Sequence, residues 1–156
     1  MQAKVTIITL LLLSIINPNA LAWNQMEAQI RGEAHGDYFG GSVALSADGS
    51  ILAVGARHND GNGDGSGHVR LYQWDGSSWN QLGSDIDGEA AGDACGSVAL
   101  SADGSIVAIG AIWNDDNGYN AGHARLYQWD GSSWNQLGND IDGEAGGEGR
   151  GYGDNS

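Results

Sequence analysis

The chain has 156 residues, a formal net charge of −14, and Lys4 as its one lysine. Such an acidic surface repels phosphate backbones and anionic lipid, which argues against nucleic-acid and membrane-surface partners, while it attracts cations. Twenty-seven glycines against one proline call for many tight turns, and six tryptophans supply too much apolar surface for simple disorder.

In chain order, the N-terminus reads as a secretory leader. Lys4 gives a basic start, Val5 to Ile16 is an apolar run broken by Thr6, Thr9 and Ser14, and Asn17-Pro18 ends it before the cleavage pattern Ala20-Leu21-Ala22. The run is too short to span a bilayer comfortably, so residues 1–22 are expected to be removed, leaving a secreted mature chain without a membrane span; an uncleaved anchor is the alternative. Cys95 is the one cysteine, so no intrachain disulfide can form, and it is expected to be a small buried apolar residue.

The rest is written in repeats. Ser42 to Ala90 aligns with Ser97 to Ala145 at an offset of 55 residues, with 39 of 49 positions identical. Residues 23–36 carry the terminal strand and linker of a partial earlier copy: Trp23-Asn24-Gln25 recurs at Trp79 and Trp134, and Gly32-Glu33-Ala34 recurs at Gly88 and Gly143. Residues 37–92 and 93–142 then form two blade-like repeats, and 143–156 begin a further one in a glycine-rich end. Within a copy, four strands are expected. Val43 to Ser46 leads through an Asp48-Gly49 turn to the apolar run Ile51 to Ala56. His68 to Trp74 alternates, with Val69, Leu71 and Gln73 on one face and His68, Arg70, Tyr72 and Trp74 on the other. Asp75 to Ser78 turns the chain into Trp79 to Leu82, and Gly83 to Asp93 is a linker. The fold class is therefore all-β, with four-stranded units of about 55 residues, the size of a β-propeller blade. Two blades cannot close a propeller, which needs about four. The expectation is a fragment of a longer chain, or copies that assemble into a ring.

Phe39-Gly40, Val43, Asp48 and Val54-Gly55-Ala56, followed by Gly67-His68-Val69-Arg70-Leu71-Tyr72, resemble the FG-GAP repeat of integrin α-subunit propellers. The resemblance runs from Trp23 to about Ala145. It departs at Arg57 and Ile112, where the family motif ends in proline, and at Cys95-Gly96, which stands for Phe-Gly. It implies blades around an axis, an extracellular binding or adhesion surface, and calcium in the loop between the second and third strands of a blade.

That loop contains Asp60-Gly61-Asn62-Gly63-Asp64-Gly65. Asp60, Asn62 and Asp64 put oxygens on alternate residues, as the first part of a calcium loop does, but the closing bidentate acid is missing. The second copy keeps Asp115 and Asn117 and has Tyr119 where the first has Asp64, so it is the weaker calcium candidate. A solvated Asn/Asp/Gly hairpin loop is the alternative at each. The pairs Trp74/Trp79 and Trp129/Trp134 flank the Asp-Gly-Ser-Ser turns and are expected to pack across the hairpin or between blades, with sugar stacking the alternative. Trp113 stands where the first copy has His58, breaks the repeat, and is the better candidate for a surface contact. His68 with Arg70 and His123 with Arg125 recur together. That points to a structural hydrogen bond with an acid such as Asp48 or Glu89 rather than to general-base catalysis. No nucleophile, phosphate-loop or zinc spacing is present, and no enzyme is expected. The functional expectation is a secreted, calcium-assisted binding or adhesion module for an extracellular protein or glycan; the alternative is a lectin of oligomerised two-blade subunits.

Overall fold

A computed structural model describes residues 29–144. The expected leader and the strand at Trp23 lie outside the described residues, as does the glycine-rich end beyond Glu144. Within them the chain forms ten strands: β1 Ser42–Leu45, β2 Ile51–Ala56, β3 His68–Trp74, β4 Trp79–Gln81, β5 Ile86–Asp87, β6 Cys95–Leu100, β7 Ile106–Ala111, β8 His123–Trp129, β9 Trp134–Gln136 and β10 Ile141–Asp142. Among the described residues no helix is long and apolar enough to cross a membrane.

The strands make two antiparallel sheets of the same plan, β1-β2-β3-β4 and β6-β7-β8-β9. The expected fourth strand, Trp79 to Leu82, is present as β4, and a short fifth strand follows it. In the first blade β4 pairs with the far end of β3, from Tyr72–Gln81 to Trp74–Trp79. After a bulge, β5 rejoins the same edge at Val69–Ile86 and His68–Asp87. The linker predicted from Gly83 to Asp93 thus contributes a short strand. Ile86 supplies the reason, because it is buried in the core while its neighbours Asp85 and Asp87 reach solvent.

Each turn is set by a local carboxylate. Asp48 accepts hydrogen bonds from Ser46 Oγ at 2.7 Å and from the Ser50 amide at 3.0 Å, closing the β1–β2 hairpin. Asp103 does the same for β6–β7 with Ser101 and Ser105. Asp75 and Asp130 accept from the two backbone amides of the following serines and cap the later hairpins.

The blades pack face to face. Register places Ile51, Ala53, Gly55, Val69 and Leu71 on one face of the first sheet. Val107, Ile109, Ala111 and Tyr127 occupy the opposite face of the second. These residues, with Ile86 and Cys95, form one core between the sheets. Leu71 is fully buried there, worth about 1.5–3 kcal/mol in area terms. The edge strands β1 and β6 lie side by side, linked by Val98 N–H to Ser42 Oγ at 3.1 Å and, between the turns, Ala47 N–H to the Ala102 carbonyl at 2.8 Å. The contact is close enough to require glycine. A Cβ on Gly55 would fall 1.8 Å from the Gly96 carbonyl oxygen, and one on Gly67, at φ 75°, would fall 2.0 Å from that of Cys95. The Cys95 thiol is fully buried at this seam, and burial pushes its pKa up to about 11.

Gly110 holds the same repeat position as Gly55, yet a Cβ there meets Ser97 Cβ at an ordinary 3.4 Å. Gly55→Ala is therefore expected to lower the melting temperature sharply, by an overpacking penalty of about 1–3 kcal/mol or more. Gly110→Ala is expected to stay within about 1 kcal/mol of the parent. Thermal unfolding of the two variants checks the pair.

Candidate functional site

The β2–β3 loop is tied down at each end by amide side chains. Asn59 is buried; its Nδ2 donates to Asp37 Oδ2 at 3.0 Å and to Glu33 Oε2 at 3.2 Å, which fastens the loop to the linker entering the blade. Asn62 Nδ2 donates to the Gly88 and Glu89 carbonyls at 2.8 and 3.0 Å, which fastens it to the linker leaving. Asp60 Oδ1 accepts the Gly65 amide at 2.8 Å and closes the loop on itself, while Asp64 gives its backbone carbonyl to Gly92. The second loop repeats the plan: Asn114 bonds Asp93, Asp115 accepts from Asn120 at 2.6 Å, and Asn117 donates to the Gly143 carbonyl at 2.7 Å. The alternation of Asp and Asn thus has a structural role in each copy. Asp60, Asn62 and Asp64 are all exposed. What the first loop's side chains offer a cation is the second oxygen of Asp60, the amide oxygen of Asn62, whose Nδ2 alone is engaged, and the carboxylate of Asp64, against the six to eight oxygens calcium takes. Tyr119, at the place of Asp64, is 81% exposed.

The third strands carry two carboxylate networks. Arg70 Nε and Nη2 donate to Asp85 at 2.7–2.9 Å, and Nη2 also reaches Glu33. This guanidinium holds the Asp85 and Glu33 carboxyls below the usual range. His68 is buried with Nδ1 3.7 Å from Asp85, and burial lowers its pKa. In the second blade Arg125 Nη1 lies 3.2 Å from Glu89 Oε1, and Nη2 donates to the Asp87 carbonyl of the first blade at 2.9 Å. The expected partner Glu89 is therefore present. The expected partner Asp48 is not: it is engaged in its own hairpin turn, and Asp85 and Glu33 take its place. Asp85 could have been read from the repeat, since Asp140 matches it, but both lie in what looked like plain linker.

The tryptophan pairs are cross-strand neighbours, with ring centroids 5.5 Å apart for Trp74/Trp79 and 5.4 Å for Trp129/Trp134. The second pair also seats the blades. Trp134 Nε1 donates to the Leu82 carbonyl at 2.9 Å, and a Cβ on Gly83 would meet the Trp129 and Trp134 rings at 2.9 and 3.0 Å. Packing, across the hairpin and between blades, accounts for them.

Trp113 stands apart. It is 46% exposed, and its ring meets His58 edge-on at 6.2 Å; His58 in turn meets Tyr38 at 5.0 Å. The row crosses both blades. Arg57 stacks over Tyr38 at 5.1 Å, and Tyr38, at 61% exposure, is held in a left-handed conformation with φ 55°. That conformation costs a non-glycine residue about 1 kcal/mol or more. Beside the row, a cavity of about 220 Å³ opens between the blades, lined by Tyr38, Ser42, Gly55, Arg57, Ser97 and Ile112. It is below the ~300 Å³ at which small-molecule sites begin, so it suits one inserted side chain or sugar ring. Sequence reasoning singled out Trp113 and missed Tyr38, Arg57 and His58 as its neighbours. Their signal was available: each departs from the repeat, to Ala94, Ile112 and Trp113.

Residues 31–72 match the family model described as the FG-GAP repeat. The match runs from the entering linker through β1 and β2 into β3, and the second blade repeats that sequence. No curated protein matches the chain.

The hairpin carboxylates set an acid limit on stability. Asp48 and Asp103 are held down at about 2, first by the serine hydroxyls they accept from, Ser46 and Ser101, against ordinary values of 3.8. Depressed carboxylates stabilise the fold above their unfolded value and lose that contribution as pH falls through the folded one. The melting temperature is expected to hold above about pH 4 and to fall progressively towards pH 2. A melt series across that window checks it.

Proposed function

We propose that this chain, a propeller-type protein built on FG-GAP repeats, is a secreted binding module that engages an extracellular protein or glycan through the row Tyr38–His58–Trp113 and Arg57. The exposure of Trp113 carries the reading: Trp74, Trp79, Trp129 and Trp134 are spent on packing, and Trp113 stands at a site where the copies differ. Aromatic rings flanked by arginine are the side chains that most often anchor recognition surfaces. The leader pattern supports secretion. The reading contains no catalytic step: the repeated arginines Arg70 and Arg125 hold linker groups to the blades. A glycan ligand is the second reading, favoured by the ring-sized cavity beside Tyr38.

A glycan array and an extracellular-protein array, probed with the parent and with Trp113→Ala and Tyr38→Ala, test the surface. Binding is expected to fall at least tenfold in each variant, with melting temperature unchanged. Binding that survives both substitutions would sink the proposal.

Calcium assistance is part of the same reading, with Asp60, Asn62 and Asp64 as the residues that would hold an ion that shields the two carboxylates from each other. Melting with millimolar calcium against chelator is expected to show a calcium-dependent rise that Asp60→Asn with Asp64→Asn removes, since a ligand bound by the folded form alone stabilises it. Equal curves in calcium and chelator would remove calcium from the reading and leave the aromatic surface to its own test.

A further inference from the structure

We infer that Glu89, His123 and Asp140 form a site for one divalent transition-metal cation of the zinc class. One ligand atom from each lies within 4.8 Å of the others. A cation with bonds of about 2.0–2.2 Å would draw them to about 3.5 Å apart, a movement that exposed Glu89 can supply by changing rotamer.

The buried imidazole points to a ligand independently of the acids. The His123 side chain is 1% exposed, and neither ring nitrogen has a hydrogen-bond partner. Its Nδ1 faces Glu89 Oε2 at 3.6 Å. A buried imidazole left without a partner is unusual and asks for an explanation.

The two copies differ here in a way that sequence identity conceals. The equivalent cluster in the first blade, Glu33, His68 and Asp85, already holds a cation: the Arg70 guanidinium bonds both carboxylates. In the second blade Arg125 turns towards the Asp87 carbonyl and the far oxygen of Glu89, and its Nε is itself unpartnered. Asp140 accepts instead from Gln136. Glu89 Oε2, the His123 ring and Asp140 are left facing one another.

The cluster opens to solvent through a polar cleft lined by Glu89, Gln136, Asn139, Asp140 and Asp142. Three carboxylates, Glu89, Asp140 and Asp142, line this cleft, and of these Arg125 pairs with Glu89, so a divalent cation improves the balance. One neutral imidazole with two carboxylates selects a zinc-like ion over calcium or magnesium, which prefer oxygen alone, and leaves a fourth position for water. The site shares no ligand residue with the Tyr38–Trp113 surface or with Asp60 and Asp64, and its test reads zinc rather than glycan, protein or calcium binding.

Isothermal titration of the full chain with zinc chloride, after chelator treatment, tests the site, with cobalt(II) absorption as a second readout of imidazole coordination. One equivalent of zinc is expected to bind at micromolar or better affinity. Asp140→Asn, at a half-buried surface position, and His123→Gln are each expected to weaken binding at least tenfold, while His68→Gln in the arginine-closed cluster leaves it unchanged. Asp140→Asn keeps the test decisive should His123→Gln not fold. The site would be overturned by an absence of zinc binding at high micromolar concentration, by an affinity indifferent to Asp140→Asn, by equal loss in His68→Gln, or by calcium displacing zinc at equal concentration.

Discussion

The structure depends on one steric fact: two β-sheets come together so closely at their seam that backbone touches backbone. Gly55 faces the Gly96 carbonyl and Gly67 faces Cys95, with no room for a methyl group at either position. This approach lets Ile51, Ala53, Val69 and Leu71 meet Val107, Ile109 and Tyr127 in a single core. It also brings the β1 and β6 edges into hydrogen-bonding range. A lone blade exposes one apolar face or the other, and an isolated sheet of this size has little core of its own. The seam is therefore the source of cohesion, and the turns and linkers serve to hold it in register.

Nearly identical sequences acquire different environments because each blade has a different neighbour on each face. Val98 and Leu100 pack against the shared core, while their counterparts Val43 and Leu45 are 61% and 55% exposed. Arg70 closes on Asp85 and Glu33, while Arg125 reaches across the seam to the Asp87 carbonyl. The arginines occupy matching positions on matching strands. What separates them is the presence of a preceding blade, whose β5 carbonyl competes for the guanidinium.

The same logic separates scaffold from candidate function. Most residues that recur in step have structural duties. The Asn59 and Asn114 amides hold entering linkers, Asn62 and Asn117 hold leaving ones, and the Asp-Ser turns cap hairpins. Residues that break the repeat, namely Tyr38, Arg57, His58 and Trp113, gather in one exposed row. The linker before β1 and the loops after β2 and β7 meet here, so differences scattered along the sequence become neighbours in space.

Periodicity and turn chemistry alone determined the class of this protein. The 55-residue repeat, the alternation in His68 to Trp74 and the Asp-Gly turns located the main strands to within about a residue, because those signals are local and depend on backbone and solvent more than on partners. The short fifth strand escaped, since two residues at Ile86–Asp87 carry too little pattern to read. The tertiary structure decided the rest: which copy of each repeated residue is buried, which carboxylate each arginine meets, and whether an Asp or Asn faces solvent or a linker carbonyl. Those outcomes turn on contacts between segments far apart in the chain, where a difference of a few ångströms separates an ion pair from an unpartnered group, and no local pattern encodes that distance.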